Sequence, residues 1–275
     1  MLGSQNGKNY VLTGVAQLSL SETLDCGQAF RWSVDESGVW SAVVGKRLCR
    51  VMQNGDSITF FDCDETLFRD FYSPYFDLSR DYGEIISAIS QNDVLAEAAK
   101  VAGGIRILRQ DPWETVCSFI ISQNNNIPRI KGIIERLCEN FGERIGDFYT
   151  FPSAERIASL TVSDLDVIRA GFRAKYILDA AKKFASGEIS AEKIAQLSTD
   201  DARAELMKIY GVGEKVADCV LLFAFSRIDA FPKDVWIKRA MEKLFCGVLP
   251  DCARDYAGIV QQYIFHYARM TKLDV

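Results

Sequence analysis

Lys215, Cys219 and Asp234 are the residues of this chain whose types and spacing could make and break bonds. Lys215 opens the apolar stretch EKVADCVLLFAF (214–225), directly after the turn GVG (211–213). The positive end of a helix dipole disfavours a cation, and so does an apolar surround. An amine held neutral there is a nucleophile that can form a Schiff base with an electrophilic carbon. A lysine can also reach out to water from such a place, and position alone favours that plainer role. Cys219 lies one helical turn further on, on the same face. As a thiolate it would hold Lys215 charged, whereas a thiol would not. Asp234 follows a Pro-Lys turn and precedes the apolar-periodic VWIKRAMEKLF, which places it as an N-cap. A capping carboxylate that faces the lysine can also take its proton and stabilise a developing positive charge.

These residues need helices to hold them. STDDARAELMKIYG reads as a helix with Ser198 or Thr199 as cap, Asp200 and Asp201 in its first turn, and Gly211 ending it in a left-handed conformation. Two helices around GVG expose backbone N–H groups that suit a phosphate, although GVG alone also fits an ordinary helical hairpin. Upstream, QAFRWSV, GVWSAVVG, KRLCRVMQN and DSITFFDC (within 28–63) alternate β-branched and aromatic residues between ESG, GK and NGD turns, and predict an antiparallel meander. From Asp64 the period becomes helical in DETLFRDFY, YGEIISAIS and DVLAEAAKVAG, and from Asp111 onward only helices are expected. The fold class is therefore α+β: an N-terminal antiparallel-sheet domain (1–100), then an all-helical domain (101–275) with the helix–hairpin–helix at 199–226.

At 275 residues and 48% hydrophobic, the chain can bury a sizeable core. No apolar run approaches a membrane span, and MLGSQNGKNYVLTG lacks a signal-peptide pattern, so the chain is expected to stay where it was made. The eight cysteines include no CxxC, and several sit in apolar segments, which predicts reduced thiols rather than a metal or disulfide framework. The net charge is −5, but unevenly spread. Residues 1–95 hold 7 Lys and Arg against 13 Asp and Glu, leaving 25 against 24 of the totals of 32 and 37 for the remainder. A nucleic-acid surface, if present, belongs to the second part.

LMKIYGVGEKVADCVLLFAF followed by PKDVW resembles the helix–hairpin–helix, Gly/Pro-Asp motif of the DNA glycosylase superfamily. DCGQAFRW (25–32), RQDPWETVCSFIISQNNNIPRI (109–130), GFRAKY (171–176) and YAGIVQQYIF (256–265) resemble, more narrowly, the 8-oxoguanine DNA glycosylase/AP lyase family. The stretches occur in the family's order and span nearly the whole chain. The resemblance implies a TATA-binding-protein-like N-terminal sheet and excision of 8-oxoguanine from double-stranded DNA in base excision repair. A monomer with no membrane association is implied, in the cytoplasm and nucleoid of a bacterium or the nucleus of a eukaryote.

It also implies roles. Lys215 would attack the sugar C1′, with Asp234 assisting, and the imine would allow β-elimination. The damaged-base pocket would comprise Gly27, whose carbonyl accepts from the N7–H that guanine lacks, with Cys219 and Phe265 sandwiching the base and Gln261 on its Watson–Crick edge. Asn124 would fill the hole left by the flipped base, Phe172 would wedge beside it, and Arg129 and Arg173 would donate to the opposite cytosine. Phosphates would meet the N–H groups around Gly211, Gly213 and Val216. No metal or redox cofactor enters the chemistry, while a structural monovalent cation would sit on hairpin carbonyls. Trp236 stands where eukaryotic members tend to have histidine, which bears on one phosphate contact. His266, the lone histidine, has no family role and is expected to be structural. A non-catalytic hairpin module leaves Lys215 and Asp234 unexplained, and a glycosylase for alkylated bases has no need of the lysine. The four-cysteine cluster of the endonuclease-III type is missing.

Overall fold

The computed structural model describes residues 1–271. Six strands form one antiparallel sheet in the order β1-β2-β6-β5-β4-β3: β1 (Leu2–Asn6), β2 (Asn9–Thr13), β3 (Ser33–Val34), β4 (Trp40–Val44), β5 (Arg47–Asn54) and β6 (Ser57–Phe60). The β4–β5–β6 meander follows the alternation in the sequence, and its inward residues Ala42, Cys49, Val51, Ile58 and Phe60 are buried. Two departures from the predicted strands have clear causes. The N-terminus supplies β1 and β2: β1 is the exposed edge strand, held to β2 by backbone bonds that need no apolar pattern, while β2 pairs β6 and turns only Tyr10 and Leu12 into the core. Of QAFRWSV only Ser33 and Val34 are strand, pairing with β4, and the residues before them bend. Gln28 is pinned instead by its side chain, which donates to the Thr23 and Arg106 carbonyls and accepts from the Leu108 N–H.

The remainder is helical, save for a short hairpin that pairs Arg144–Ile145 with Phe148–Tyr149 around Gly146, which the helices-only expectation did not contain. Two apolar cores result. Trp32, Phe60, Tyr72, Tyr75, Phe76 and Leu108 lie in the core behind the sheet. The larger core gathers the helices, and it includes Tyr82–Ile89 and Asp93–Ala102 as well as Cys26 and Phe30 from the N-terminal part. Burying each large side chain stabilises the fold by about 1.5–3 kcal/mol. Between the cores lies Arg106, 2% exposed. Its guanidinium donates to the carbonyls of Gln17, Asp77 and Arg80 and lies 4.4 Å from the Tyr82 ring centroid.

Among the described residues no helix is long and apolar enough to cross a membrane. Nor does any group of three His, Cys, Asp or Glu gather to hold a metal.

Candidate active site

The helix carrying the lysine, Glu214–Phe225, packs along Pro112–Ser122. Both are apolar on nearly every side because each is buried between neighbours. The hairpin in front of it begins with Thr199–Leu206, capped by Ser198, whose hydroxyl accepts from the Asp201 N–H at 3.2 Å. That helix ends at Leu206, well before Gly211, so Gly211 does not terminate it. Gly211 serves the turn itself: its φ is +81°, and a Cβ there would meet the Tyr176 ring at 2.5 Å. The Tyr210 N–H donates to Asp179 at 2.7 Å and holds the turn in place. Gly213 caps the lysine helix without a side-chain bond, which leaves the N–H groups of its first turn, Val216 included, without an intrahelical partner.

Lys215 is half-buried. Its Nζ donates to Ser122 Oγ at 3.4 Å and lies 5.3 Å from the Phe119 ring centroid. The Ser122 hydroxyl proton goes to the Phe119 carbonyl at 2.8 Å, so the oxygen faces the amine with its lone pairs. Phe119 is held by stacking on Phe223 at 5.3 Å and by the edge of Phe30 at 5.8 Å. Asp234 caps Val235–Phe245, accepting from the Ile237 N–H at 2.7 Å. Cys219 is buried, and burial pushes its thiol up to about 11, with the nearby Lys215 opposing. At neutral pH Cys219 is therefore S–H, which settles the alternative that the sequence left open.

Lys215, Cys219, Asp234, Gly27, Gln261 and Phe265 all line one cavity of about 140 Å³. Gly27 has φ +94°, and a Cβ there would stand 3.5 Å from Ile127 and 4.0 Å from the Phe265 ring, so glycine keeps the cavity open on that side. Ser122, Asn125, Pro232, Cys26 and Gln262 also line it and were not singled out in the sequence. Cys26 and Gln262 adjoin residues that were, and that adjacency was the available signal.

Asn124, Arg129, Phe172 and Arg173 gather at a rim beside it. Asn124 is exposed with φ +47°, and Phe172 is 50% exposed. Arg129 is exposed, its backbone N–H taken by the Asn126 cap of Ile127–Phe141. Arg173 differs from the expectation of a base-reading fork. It is 3% exposed, lies 4.4 Å from the Phe172 ring centroid, and donates to the carbonyls of Gln123, Asn124 and Ala170. These carbonyls occupy the guanidinium because the left-handed Asn124 turns its own and its neighbour's C=O inward. Trp236 is 54% exposed next to Asp234. His266 is half-buried outside the cavity, and burial, aided by Arg269, holds it below the usual imidazole range.

Two family models match adjacent parts of the chain: "8-oxoguanine DNA glycosylase, N-terminal domain" over residues 11–116, and "HhH-GPD superfamily base excision DNA repair protein" over 117–247. A Saccharomyces cerevisiae N-glycosylase/DNA lyase is 32% identical, over 83% of this chain and 68% of its own. The chain belongs to the 8-oxoguanine DNA glycosylase family. A probable N-glycosylase/DNA lyase of Methanothermobacter thermautotrophicus is 31% identical, over 78% of this chain and 79% of its own. The 8-oxoguanine glycosylase/lyase of Clostridium acetobutylicum, solved with double-stranded DNA containing cytosine opposite 8-oxoG, superposes with a TM-score of 0.93 at 36% identity over 99% of both chains. Membership makes this protein a DNA repair enzyme of the glycosylase and lyase class, built as an antiparallel sheet followed by a helix–hairpin–helix domain.

Proposed function

We propose that this enzyme excises 8-oxoguanine from double-stranded DNA, preferentially opposite cytosine, and then nicks the strand through a Schiff base on Lys215. The carrying observation is that Lys215 and Asp234 line the same cavity as Gly27, Cys219, Gln261 and Phe265. An amine, a carboxylate and groups suited to a purine thus share one enclosure.

The target base must leave the stack to reach it, at a cost of a few kcal/mol. The Lys215 amine attacks C1′, the glycosidic bond breaks, and the base departs with that electron pair as an anion that water protonates. Asp234 accepts the proton the amine loses and returns it to O4′ as C1′–O4′ opens, and its carboxylate then stabilises the cationic imine that forms. Loss of a C2′ proton then expels the 3′ phosphate oxygen, which leaves an unsaturated aldehyde on one strand end and a 5′ phosphate on the other. Hydrolysis of the imine frees Lys215. Asn124 fills the vacated stack, Phe172 wedges beside it, and Arg129 reads the opposite base, with Arg173 holding the loop that presents them. The unpartnered N–H groups at Gly213–Val216 receive backbone phosphates. The turn Ile209–Gly213 carries no carboxylate, thiol or imidazole, so its carbonyl oxygens form a neutral, hard donor set that suits a monovalent cation.

The test uses duplexes with 8-oxoguanine opposite each of the four bases, wild type and Lys215→Gln, in borohydride. An adduct strongest opposite cytosine and absent in the variant supports the reading. Tight binding without adduct or base release refutes it.

A further inference from the structure

Gln262 is 6% exposed and stands next to Gln261 on the helix Ala257–Met270. Its Nε2 donates to Gln261 Oε1 at 2.7 Å, and its own Oε1 faces Cys26 Sγ at 3.7 Å. Cys26 is the neighbour of Gly27, so one buried carboxamide ties the loop on one wall of the cavity to the helix on another. We propose that Gln262 is a positioning residue that fixes the polarity of the Gln261 carboxamide and so selects 6-oxo over 6-amino purines. The inference rests on the reading of the cavity as a damaged-base pocket.

A carboxamide can be turned either way, because its oxygen and nitrogen are nearly equal in size. Three contacts remove that freedom. The Cys26 thiol stays protonated, with burial pushing it up to about 11, so it is a donor. It shares its proton between the Thr23 carbonyl at 3.5 Å and Gln262 Oε1. With Oε1 drawn to the thiol, Gln262 must present N–H to Gln261, which turns Gln261 Oε1 toward it. Gln261 Nε2 has no hydrogen-bond partner among the described residues and is left as a donor beside an oxygen that retains one lone pair. A donor next to an acceptor matches the O6 and N1–H of 8-oxoguanine. The reversed amide would match the N6 amine and bare N1 of 8-oxoadenine. Both lesions carry N7–H, so the Gly27 carbonyl accepts from either, and the choice between them falls to the amide.

The experiment measures single-turnover base release from duplexes carrying 8-oxoguanine or 8-oxoadenine opposite cytosine. Gln262→Met keeps the volume and removes the donor. Its ratio of the two specificity constants is expected to fall about tenfold from that of wild type, a loss on the scale of one hydrogen bond. Cys26→Ala and Cys26→Ser provide a second route: alanine lowers the ratio, and serine, which keeps a donor, preserves it. Equal slowing of both lesions by Gln262→Met, or an unchanged ratio, refutes the positioning role while leaving the functional reading intact. A wild type that releases neither base overturns that reading itself.

Discussion

In the proposed mechanism Asp234 serves two functions, cap and proton acceptor, that substitution can separate. Its carboxylate accepts the Ile237 N–H at 2.7 Å as an N-cap, and it also lines the cavity with Lys215. Asparagine caps a helix as well as aspartate does, whereas alanine accepts nothing and costs about 1 kcal/mol. For a chain of this length that corresponds to roughly a 2 °C drop in Tm. Both variants lose the negative charge that takes the lysine proton, an effect worth ~10²–10⁴-fold in rate. Asp234→Asn is therefore expected to melt with wild type yet release base at least about 100-fold more slowly. Asp234→Ala shows the same slowing with a lowered Tm. Thermal melts and single-turnover base release, run on the same preparations, give both numbers. A wild-type rate in Asp234→Asn would leave Asp234 as a cap alone and sink the proton-transfer role.

Three further outcomes are expected. Burial holds the Glu22 carboxyl above its ordinary range, and its Oε2 lacks a partner. The unfolded chain then sheds that proton first, so this group's contribution to stability falls as pH rises through the two values. Glu22→Gln should raise Tm at pH 7.5 but not at pH 3.5, and an equal shift at both would contradict the assignment. Arg106→Met strands the Gln17, Asp77 and Arg80 carbonyls, at about 1–3 kcal/mol for each one left unsatisfied, and urea melts should show a loss of at least about 3 kcal/mol. Iodoacetamide at pH 7.5 should label the exposed Cys246 and spare Cys26 and Cys219, whose thiols burial pushes up to about 11; early labelling of Cys219 in a peptide map would refute this.

Much of this molecule was legible in residue order because its signals are local. The cap at Asp234, the change of period near Asp64 and the glycine turn at 211–213 each act over a few residues, and each appears in the structure. The strand β1 was not legible, since an edge strand held by backbone bonds needs no alternation, and β2 offered only Tyr10 and Leu12 as an alternating pair. The extent of QAFRWSV as a strand was overread because the Gln28 side chain, not a neighbouring strand, holds it. Arg173 shows the same limit at the site. Its residue type suggests a base-reading fork, but which acceptors reach the guanidinium depends on which of three successive asparagines turns left-handed, and residue type favours none of them over the others. Gln262 was passed over because its contact with Cys26 spans 236 positions.

That separation affects how the enzyme becomes active. One wall of the cavity comes from residues 26–30 and another from 261–265, so a nascent chain carries Lys215 on its hairpin well before it has an enclosure to place beside it. The recess around the amine is complete only once residues 261–265 have packed against residues 26–30. The helix Ala257–Met270 thus closes a long-range seam: the cavity exists only when this helix docks against the loop at residues 26–30.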